Sequence, residues 1–262
     1  MDYSSIAWQR QDEIGILKFN SPETYNSLSS EMHLELFDLL PRLKEEKDLR
    51  AVIITGEGKS FSSGGDMALF LKMIRNQREQ GGVGDVFSSK LAKAILAIEI
   101  PVIAAVNGPA IGAGFTLSLI CDIRIASKNA AFGAVFAQVG LTPEYASSFL
   151  LSRIVGLTKA CEMMLTARII DAQEALTAGL VSEVTSRERL MPRAEELARK
   201  IATLPPIGVR TTKRVLRHGL SATLEQAIEY EELAETYCMS SLDHEEAIKA
   251  FVEKRKPKFI GR

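Results

Sequence analysis

The chain has 262 residues, of which 46% are hydrophobic and 25% are charged, and its formal net charge at pH 7 is -1. This composition is typical of a globular protein with enough apolar material for one large core. A net charge so close to zero excludes a whole-molecule attraction for nucleic acid or for an anionic membrane, so we expect neither as a partner.

The cysteines and histidines are few and scattered. Cys121, Cys161 and Cys238 form no C-x-x-C pair and are odd in number, which predicts reduced, buried thiols. The three histidines fall in no metal-ligand spacing, so metal catalysis is not expected. The first residues show no signal peptide and the last residues no peroxisomal address, so we expect a cytoplasmic protein.

Short apolar runs with strand character alternate with segments of helical periodicity, which predicts an α/β core. Ser29 is a plausible N-cap of the first helix, which Pro41 should kink or shorten. Two runs are almost continuously apolar, as expected for central strands that are buried on both faces. These two are Ala51–Thr55 and Val102–Val106, and further strands are predicted at Ile14–Phe19 and around Ile123 and Ile125.

The second half of the chain is mainly helical in pattern. Pro205-Pro206 indicates a boundary between a core of residues 1–204 and a C-terminal helical region of residues 205–262, which is small for an independent core and should pack on the main domain or on another subunit. Earlier in the chain, Gly81–Asp85 interrupts a helical stretch and receives no chemical role. The predicted helices of the second half are Tyr145–Ile154, Thr158–Thr166, Ala172–Ala178, Val209–Arg217, Leu224–Tyr237 and one from Asp243 or His244 to about Lys254.

Several common catalytic motifs are missing. Gly58-Lys59-Ser60 resembles the end of a phosphate-binding P-loop, but that motif requires a glycine where this chain has Ile53. There is no G-x-G-x-x-G dinucleotide motif and no G-x-S-x-G nucleophile elbow. The sequence therefore lacks the usual motifs of nucleoside triphosphate hydrolysis, hydride transfer and serine hydrolysis.

Two glycine-rich segments, Ser60–Asp66 and Asn107–Gly114, follow the two central strands. Taken singly, glycines after a strand usually only make a turn. Together these two indicate more, because each follows a buried strand and precedes a helical segment. Their free backbone amides can then converge at helix N-termini, where negative charge is stabilised.

These segments resemble the crotonase (enoyl-CoA hydratase/isomerase) superfamily. Gly56–Met67 is similar to its first signature and Pro101–Gly114 to its second, while Tyr25–Leu28 resembles its early coenzyme A contact and Phe251–Phe259 its C-terminal stretch. The resemblance spans nearly the whole chain in the correct order. It implies an α/β fold in which repeated β-β-α units wind into a spiral core, and C-terminal helices that join subunits into a homotrimer or a dimer of trimers.

The resemblance implies an acyl-CoA thioester substrate, with coenzyme A as part of the substrate and no separate cofactor. It places the oxyanion-hole amides on Gly65 and Ala113, and each well-aimed donor to an enolate oxygen is worth roughly 3 to 4 kcal/mol of barrier. Asp66 reads better as a helix N-cap than as a catalytic group. Phe251 and Lys254 match positions that meet the nucleotide end, although an ordinary amphipathic helix with a solvated basic end explains them equally. The implied substrate and coenzyme A contacts are Leu28, Phe61, Ser62, Gly64, Asp66, Met67, Phe136, Phe251 and Lys254.

The kind of reaction depends on the acids and bases around the oxyanion hole. Hydratases of the superfamily hold a water between two glutamates, at positions where this chain has Thr116 and Phe136, neither of which exchanges protons usefully. The string Gly140-Leu-Thr-Pro-Glu144 instead resembles the peroxisomal-type delta3,delta2-enoyl-CoA isomerases, with their single glutamate in a Gly-x-x-Pro-Glu context. The resemblance thus implies an isomerase with Glu144 as its base, although a glutamate in a first helical turn can also simply stabilise the helix dipole.

Two other functions stay open at this point. One is isomerisation of the ring-epoxide of phenylacetyl-CoA, whose enzymes have a similar loop but usually an aspartate at the place of Glu144. The other is a catalytically silent acyl-CoA-binding scaffold, since a fold can outlive its chemistry. For the isomerase we expect a dry pocket that raises the pKa of the glutamate. Its expected lining is Phe115, Phe136, Leu141 and Phe149.

Overall fold

The computed structural model describes residues 3–46, 48–80 and 87–262, and the glycine-rich segment Gly81–Asp85 lies outside them. Within these residues the chain contains strands and helices up to residue 185, and its elements between residues 187 and 252 are all helices. The strands are β1 (Ile6–Gln11), β2 (Ile14–Phe19), β3 (Ala51–Gly56), β4 (Val102–Val106), β5 (Ala110–Ile111), β6 (Ile123–Ser127), β7 (Ala131–Gly133), β8 (Ile169–Asp171) and β9 (Glu183–Thr185). The helices are α1 (Ser30–Arg42), α2 (Met67–Gln80), α3 (Phe87–Leu96), α4 (Ala113–Ile120), α5 (Ser147–Val155), α6 (Leu157–Leu165), α7 (Ala172–Thr177), α8 (Arg187–Ala202), α9 (Pro206–Gly219), α10 (Leu224–Met239) and α11 (Leu242–Val252).

Six strands form the larger sheet, in the order β1-β2-β3-β4-β6-β9. The β1–β2 pair is antiparallel and the other pairs are parallel. The two most apolar strands, β3 and β4, lie side by side in the middle, and every residue in them is buried. Their predicted central position is therefore confirmed. A smaller sheet has the order β5-β7-β8.

Helices cover both faces of the larger sheet, which is why its central strands carry no polar alternation. In β3, Val52 and Ile54 belong to the main core, whereas Ile53 belongs to a second cluster on the opposite face. Leu190 and Ala194 of α8 close that second cluster. The fold is thus the expected α/β core followed by a helical C-terminal region.

Most predicted helices form within a few residues of their expected bounds. Ser29 caps α1 as predicted, since its side chain accepts a hydrogen bond from the Met32 amide at 3.1 Å, and α1 ends one residue after Pro41. The helix predicted from Tyr145 begins only at Ser147. The cause is local, because Tyr145 and Ala146 have φ angles of 54° and 57°, in the left-handed region that a right-handed helix excludes.

The cysteine prediction was right for one residue only. Cys121 is buried at the end of α4, but Cys161 is exposed and Cys238 is partly exposed. Both of these lie on helices, where only the face turned towards the core is covered and the outer face stays open to solvent.

The C-terminal helical region is held to the core by α9. The Lys213 ammonium lies 2.6 Å from the Asp122 carboxylate and donates to the Ile100 carbonyl oxygen at 2.7 Å, while Arg217 reaches the same carboxylate at 2.9 Å. Helix α10 has no buried residue in the single chain. None of the helices in the described ranges is both long and apolar enough to cross a bilayer.

Candidate active site

The two glycine-rich turns, Ser60–Asp66 (the first turn) and Asn107–Gly114 (the second turn), lie against each other. The amide of Phe61 donates to the Pro109 carbonyl oxygen at 3.0 Å, and the amide of Ile111 donates to the Ser62 carbonyl oxygen at 3.0 Å. Backbone pairing between the turns therefore continues beyond the ends of the neighbouring strands β3 and β4.

This pairing brings the two predicted oxyanion residues to adjacent positions. A β-carbon added to Gly64 would lie 3.2 Å from the Ala113 nitrogen and 2.6 Å from the Ile111 carbonyl oxygen. Gly64 also has a φ of 93°, which side-chain-bearing residues rarely adopt. Gly65 follows directly, so its amide and that of Ala113 belong to backbone segments in close contact.

Both amides are available to an acceptor. Ala113 is the first residue of α4, and the first amides of a helix have no acceptor within it. Across the described ranges, neither Gly65 nor Ala113 donates a backbone hydrogen bond to another element. The ring of Phe70 lies directly over the Gly65 α-carbon. The turns thus offer two unpaired donors beside an aromatic ring, which suits a developing oxyanion.

Glu144 lies in the connection between the 3-10 segment Val135–Val139 and α5, and it is half-buried. Burial raises the pKa of its carboxyl above the usual value, and a hydrogen bond with the Ser88 side chain counteracts part of that rise. Because α5 begins at Ser147, Glu144 does not occupy a first helical turn. The premise of the helix-dipole alternative, a glutamate within a first helical turn, is therefore not met.

Tyr145, the next residue, anchors this connection in the core. Its side chain is buried, and its hydroxyl lies 3.4 Å from Nε2 of His33. Nδ1 of His33 lies 2.8 Å from the Ser29 carbonyl oxygen, so Nδ1 carries the proton and Nε2 accepts from the tyrosine. Burial lowers the pKa of His33, which favours this neutral form, and the ring stacks on Phe87 at 5.1 Å.

The two residues at the positions expected to hold glutamates in hydratases, Thr116 and Phe136, are both buried. Thr116 is fully buried, and its hydroxyl is satisfied inside α4 by the Ala113 carbonyl oxygen at 3.2 Å. Phe136 is buried as well. Of the other residues expected to line a dry pocket, Phe115 packs on core residues, Leu141 is 48% exposed and Phe149 lies under the Arg153 guanidinium. Leu141 therefore does not enclose the site in the single chain.

Three predicted coenzyme A contacts have their side chains in the core. Leu28 and Phe61 are buried, and Phe61 packs edge-on against Phe19 with ring centroids 5.5 Å apart. The Ser62 hydroxyl donates to the Asn26 carbonyl oxygen at 2.7 Å. Only main-chain atoms of these residues can meet a ligand without repacking.

The remaining predicted contacts lie in two places. Asp66 is confirmed as the N-cap of α2, since its carboxylate accepts from the Ala68 amide at 2.8 Å, and Met67 beside it is 52% exposed. Phe251 is 84% exposed, and Lys254 is exposed just after α11, a helix that packs mainly on α10. These two belong to the C-terminal region and not to the glycine turns.

Sequence reasoning missed the influence of Ser88 on Glu144 and the contact of His33 with Tyr145. Ser88 and His33 lie on helices distant in sequence, and neither belongs to a motif, so only the packing of α1 and α3 reveals them. In the described part of the chain no group of three or more His, Cys, Asp or Glu side chains is arranged to hold a metal ion.

Known proteins are similar to this chain over nearly its whole length. The model of the family described as "Enoyl-CoA hydratase/isomerase" matches residues 9–262. A crotonyl-CoA hydratase of Syntrophomonas wolfei is 35% identical over 264 residues, which cover 100% of both chains. A 1,2-epoxyphenylacetyl-CoA isomerase of Escherichia coli is 32% identical over 252 residues, which cover 94% of both chains. The crystal structure of an enoyl-CoA hydratase from Bacillus anthracis superposes with a TM-score of 0.91 at 32% identity, covering 98% of this chain and 100% of the other.

Proposed function

This chain belongs to the enoyl-CoA hydratase/isomerase family, and from that premise we propose that it shifts the double bond of a 3-enoyl-CoA to give the trans-2-enoyl-CoA. Glu144 removes a proton from C2, the amides of Gly65 and Ala113 stabilise the dienolate oxygen, and the same carboxyl returns the proton at C4. One base suffices because it can reach both C2 and C4 from the same face of the planar dienolate. Coenzyme A is part of the substrate, and no separate cofactor is required.

The observation that carries this proposal is the distribution of acidic groups. Glu144 is half-buried with a raised pKa, as a proton shuttle requires, whereas Thr116 and Phe136 occupy the two positions at which hydratases hold glutamates. Addition of water needs a general base and a general acid around that water. A transfer of one proton between two carbons needs a single carboxyl, and Glu144 is the carboxyl that we propose for it.

The proposal is tested with purified protein and 3-enoyl-CoA thioesters of short, medium and long chains, with hydration of 2-enoyl-CoA as the comparison reaction. The wild type should isomerise at least one of them. Glu144→Gln should lose turnover by a factor of at least about 100 while it still binds acyl-CoA, since general acid–base catalysis contributes about that much or more. Glu99→Gln, the same change at an exposed residue, should retain activity. A wild type that moves no double bond in any of the thioesters rules the isomerase out.

Three other outcomes correspond to other functions. Hydration of 2-enoyl-CoA is favoured by the relatives' names, and it would require an acid and a base other than Thr116 and Phe136. Conversion of a ring-epoxide of phenylacetyl-CoA is favoured by the relative from Escherichia coli, and the glutamate at position 144 argues mildly against it. A chain that binds acyl-CoA without turning over any of these substrates would be a scaffold.

We also propose that the active protein is a homotrimer or a dimer of trimers, located in the cytoplasm. Helices α10 and α11 carry large apolar side chains that the single chain leaves open, among them Leu233 at 70% and Phe251 at 84% exposure. Association of these helices with a neighbouring copy would bury this surface. It would also allow Phe251 and Lys254 to meet the nucleotide end of a ligand.

A further inference from the structure

We propose that Asn26 and Asn107 are positioning residues for the backbone amide of Gly65, because their buried carboxamides together clamp the start of the first turn. This role rests on the proposed function, in which the amides of Gly65 and Ala113 stabilise a dienolate oxygen. Neither asparagine needs to touch the substrate, since each acts through the backbone of the first turn.

The two carboxamides converge on one backbone atom, the carbonyl oxygen of Ser60, with which the first turn begins. Nδ2 of Asn26 donates to this oxygen at 2.9 Å, and Nδ2 of Asn107 donates to it at 3.2 Å. Asn26 also donates to the Glu57 carbonyl oxygen at 2.9 Å. Asn107 also donates to the Gly58 carbonyl oxygen at 3.1 Å. Asn26 is fully buried and Asn107 is 7% exposed, so these bonds are shielded from water.

The side-chain oxygens fix the direction in which each carboxamide points. Oδ1 of Asn26 accepts from the Ser21 amide at 2.9 Å. Oδ1 of Asn107 accepts from the Gly56 amide at 3.1 Å. A flipped carboxamide would set its oxygen against carbonyl oxygens and its amino group against N–H groups, so only one orientation satisfies each side chain. Each asparagine therefore joins three backbone groups into one rigid unit.

Asn26 belongs to the segment Tyr25–Leu28, which runs beside the first turn. The Leu28 amide donates to the Gly64 carbonyl oxygen at 2.7 Å, and Leu28 forms a parallel β-bridge with Gly65. A displacement of this segment is therefore passed directly to Gly65. The carboxamide of Asn26 thus holds the start of the first turn, while the backbone that follows Asn26 holds its end.

Asn107 is the first residue of the second turn, which carries Ala113. Its own carbonyl oxygen accepts from the hydroxyl of Ser127, the last residue of β6, at 2.9 Å. Through its carboxamide it fastens this anchored end of the second turn to Ser60 in the first turn. The two asparagines therefore link both turns that carry the proposed donors. Loss of either carboxamide should change the relative position of the two donor amides.

Aspartate is the matched replacement at both positions, because it has the size of asparagine and differs in its donors. An ionised aspartate has no donor and a protonated one has a single donor, where asparagine has two. Asn26 has a φ of 58°, in the left-handed region that aspartate also tolerates, so the backbone preference is kept. Asn129→Asp, the same change at an exposed residue, is the control.

The first readout is the rate of isomerisation of 3-enoyl-CoA, divided by the folded fraction that circular dichroism gives for each variant. In Asn26→Asp and in Asn107→Asp, kcat should fall about 100-fold with KM nearly unchanged, since a misplacement of about 1 Å costs that much. Asn129→Asp should keep the wild-type values. A kcat per folded molecule equal to that of the wild type in both clamp variants would overturn the proposal.

The second readout needs no turnover. Butyryl-CoA labelled with 13C at the thioester carbonyl has no double bond to move, and its carbonyl stretch is followed by infrared spectroscopy. Two preorganised amides should lower this frequency below its value in water when the wild type or Asn129→Asp binds the thioester. The frequency should return towards the value in water in Asn26→Asp and Asn107→Asp. An equally lowered frequency in both clamp variants would show that the donors stay in place without the carboxamides.

Together the readouts separate failure of the clamp from failure of the proposed function. A wild type that lowers the carbonyl frequency but isomerises no thioester rules out the isomerase, and the infrared comparison then decides the role of the asparagines. A wild type that binds no butyryl-CoA, or binds it with an unshifted frequency, overturns the oxyanion hole and the clamp with it. If an aspartate variant does not fold, serine replaces it at that position, because a hydroxyl supplies one donor without a charge.

Discussion

Gly114 lies directly against the backbone of Ser62, so that a β-carbon on Gly114 would stand 2.5 Å from the Ser62 carbonyl oxygen. The two glycine turns therefore touch backbone to backbone at this point. Ser62 leads to Gly65 within the first turn, and Gly114 follows Ala113 in the second, so the contact sets the distance between the two amides that we propose as the oxyanion hole. The two amides can lie this close together because Gly114 has no side chain.

The first prediction concerns this contact. Gly114→Ala should lower the free energy of unfolding by about 1–3 kcal/mol, the usual cost of overpacking, because a carbonyl oxygen of the backbone cannot move aside as a side chain can. Turnover in the proposed isomerase reaction should fall further than the loss of stability alone explains, since the turns must separate. The measurements are urea unfolding and kcat at a temperature where the variant stays folded.

Gly219→Ala is the control for that substitution. Gly219 ends α9, and an added β-carbon there meets nothing within 4 Å. Alanine favours a helix over glycine by roughly 1 kcal/mol, so this variant should be as stable as the wild type or slightly more stable. Equal behaviour of the two alanine variants would mean that the turns tolerate separation.

The second prediction is a pH dependence of stability. The folded-state pKa of Glu144 is raised by burial, so between its unfolded and folded pKa values the folded chain holds a proton that the unfolded chain releases. The carboxyl then contributes stability at acid pH, and that contribution is lost as the pH rises through the folded pKa. The glutamine in Glu144→Gln cannot titrate. The free energy of unfolding of this variant, relative to that of the wild type, should therefore increase as the pH rises.

Urea unfolding of both proteins at several pH values, from about pH 4 to about pH 8, measures this difference. Glu99→Gln, the same change at an exposed residue, is the control, because it shows how a Glu-to-Gln substitution alone affects the free energy of unfolding. A difference between Glu144→Gln and wild type that stays constant with pH would show that the carboxyl is solvated in the folded protein.

The central part of the fold follows from the sequence because the physical signal is local. The apolar runs of β3 and β4 need cover on both faces, so the pattern alone predicts strands in the middle of a sheet, and the structure confirms them. Ser29 and Asp66 act as N-caps for a reason that lies within four residues of each. Such features require no knowledge of the rest of the chain.

The surroundings of Glu144 could not be predicted in the same way. The apolar pattern continues through Tyr145, and nothing in it shows the two left-handed residues that delay α5 to Ser147. The effect of Ser88 on the pKa of Glu144 depends on how α3 packs against the other helices, which periodicity does not encode. A motif identifies Glu144 as the candidate base, whereas the rise in its pKa comes from burial by tertiary packing.

The third prediction concerns the link between the core and the C-terminal helices. The Lys213 side chain is only 7% exposed and lies 2.6 Å from the Asp122 carboxylate. Lys213→Met should destabilise the protein by about 3 kcal/mol, because it leaves a partly buried carboxylate with Arg217 as its remaining cation. Lys200→Met, at an exposed position of α8, should change the free energy of unfolding by less than about 0.5 kcal/mol. Thermal unfolding followed by circular dichroism distinguishes the two, and a Lys213 variant as stable as the Lys200 variant would contradict the prediction.

The fourth prediction concerns association through α10. Its apolar side chains are open to solvent in the single chain, with Leu224 at 73% and Leu233 at 70% exposure, and the helix buries no residue of its own. For the proposed homotrimer or dimer of trimers, light scattering after size-exclusion chromatography should give three or six times the chain mass. Leu233→Glu should lower that mass, because a carboxylate in an apolar interface must be desolvated without a partner. Lys200→Glu, a charge change on α8, should leave the mass unchanged, and a wild type that elutes as a monomer would mean that these helices stay open to solvent.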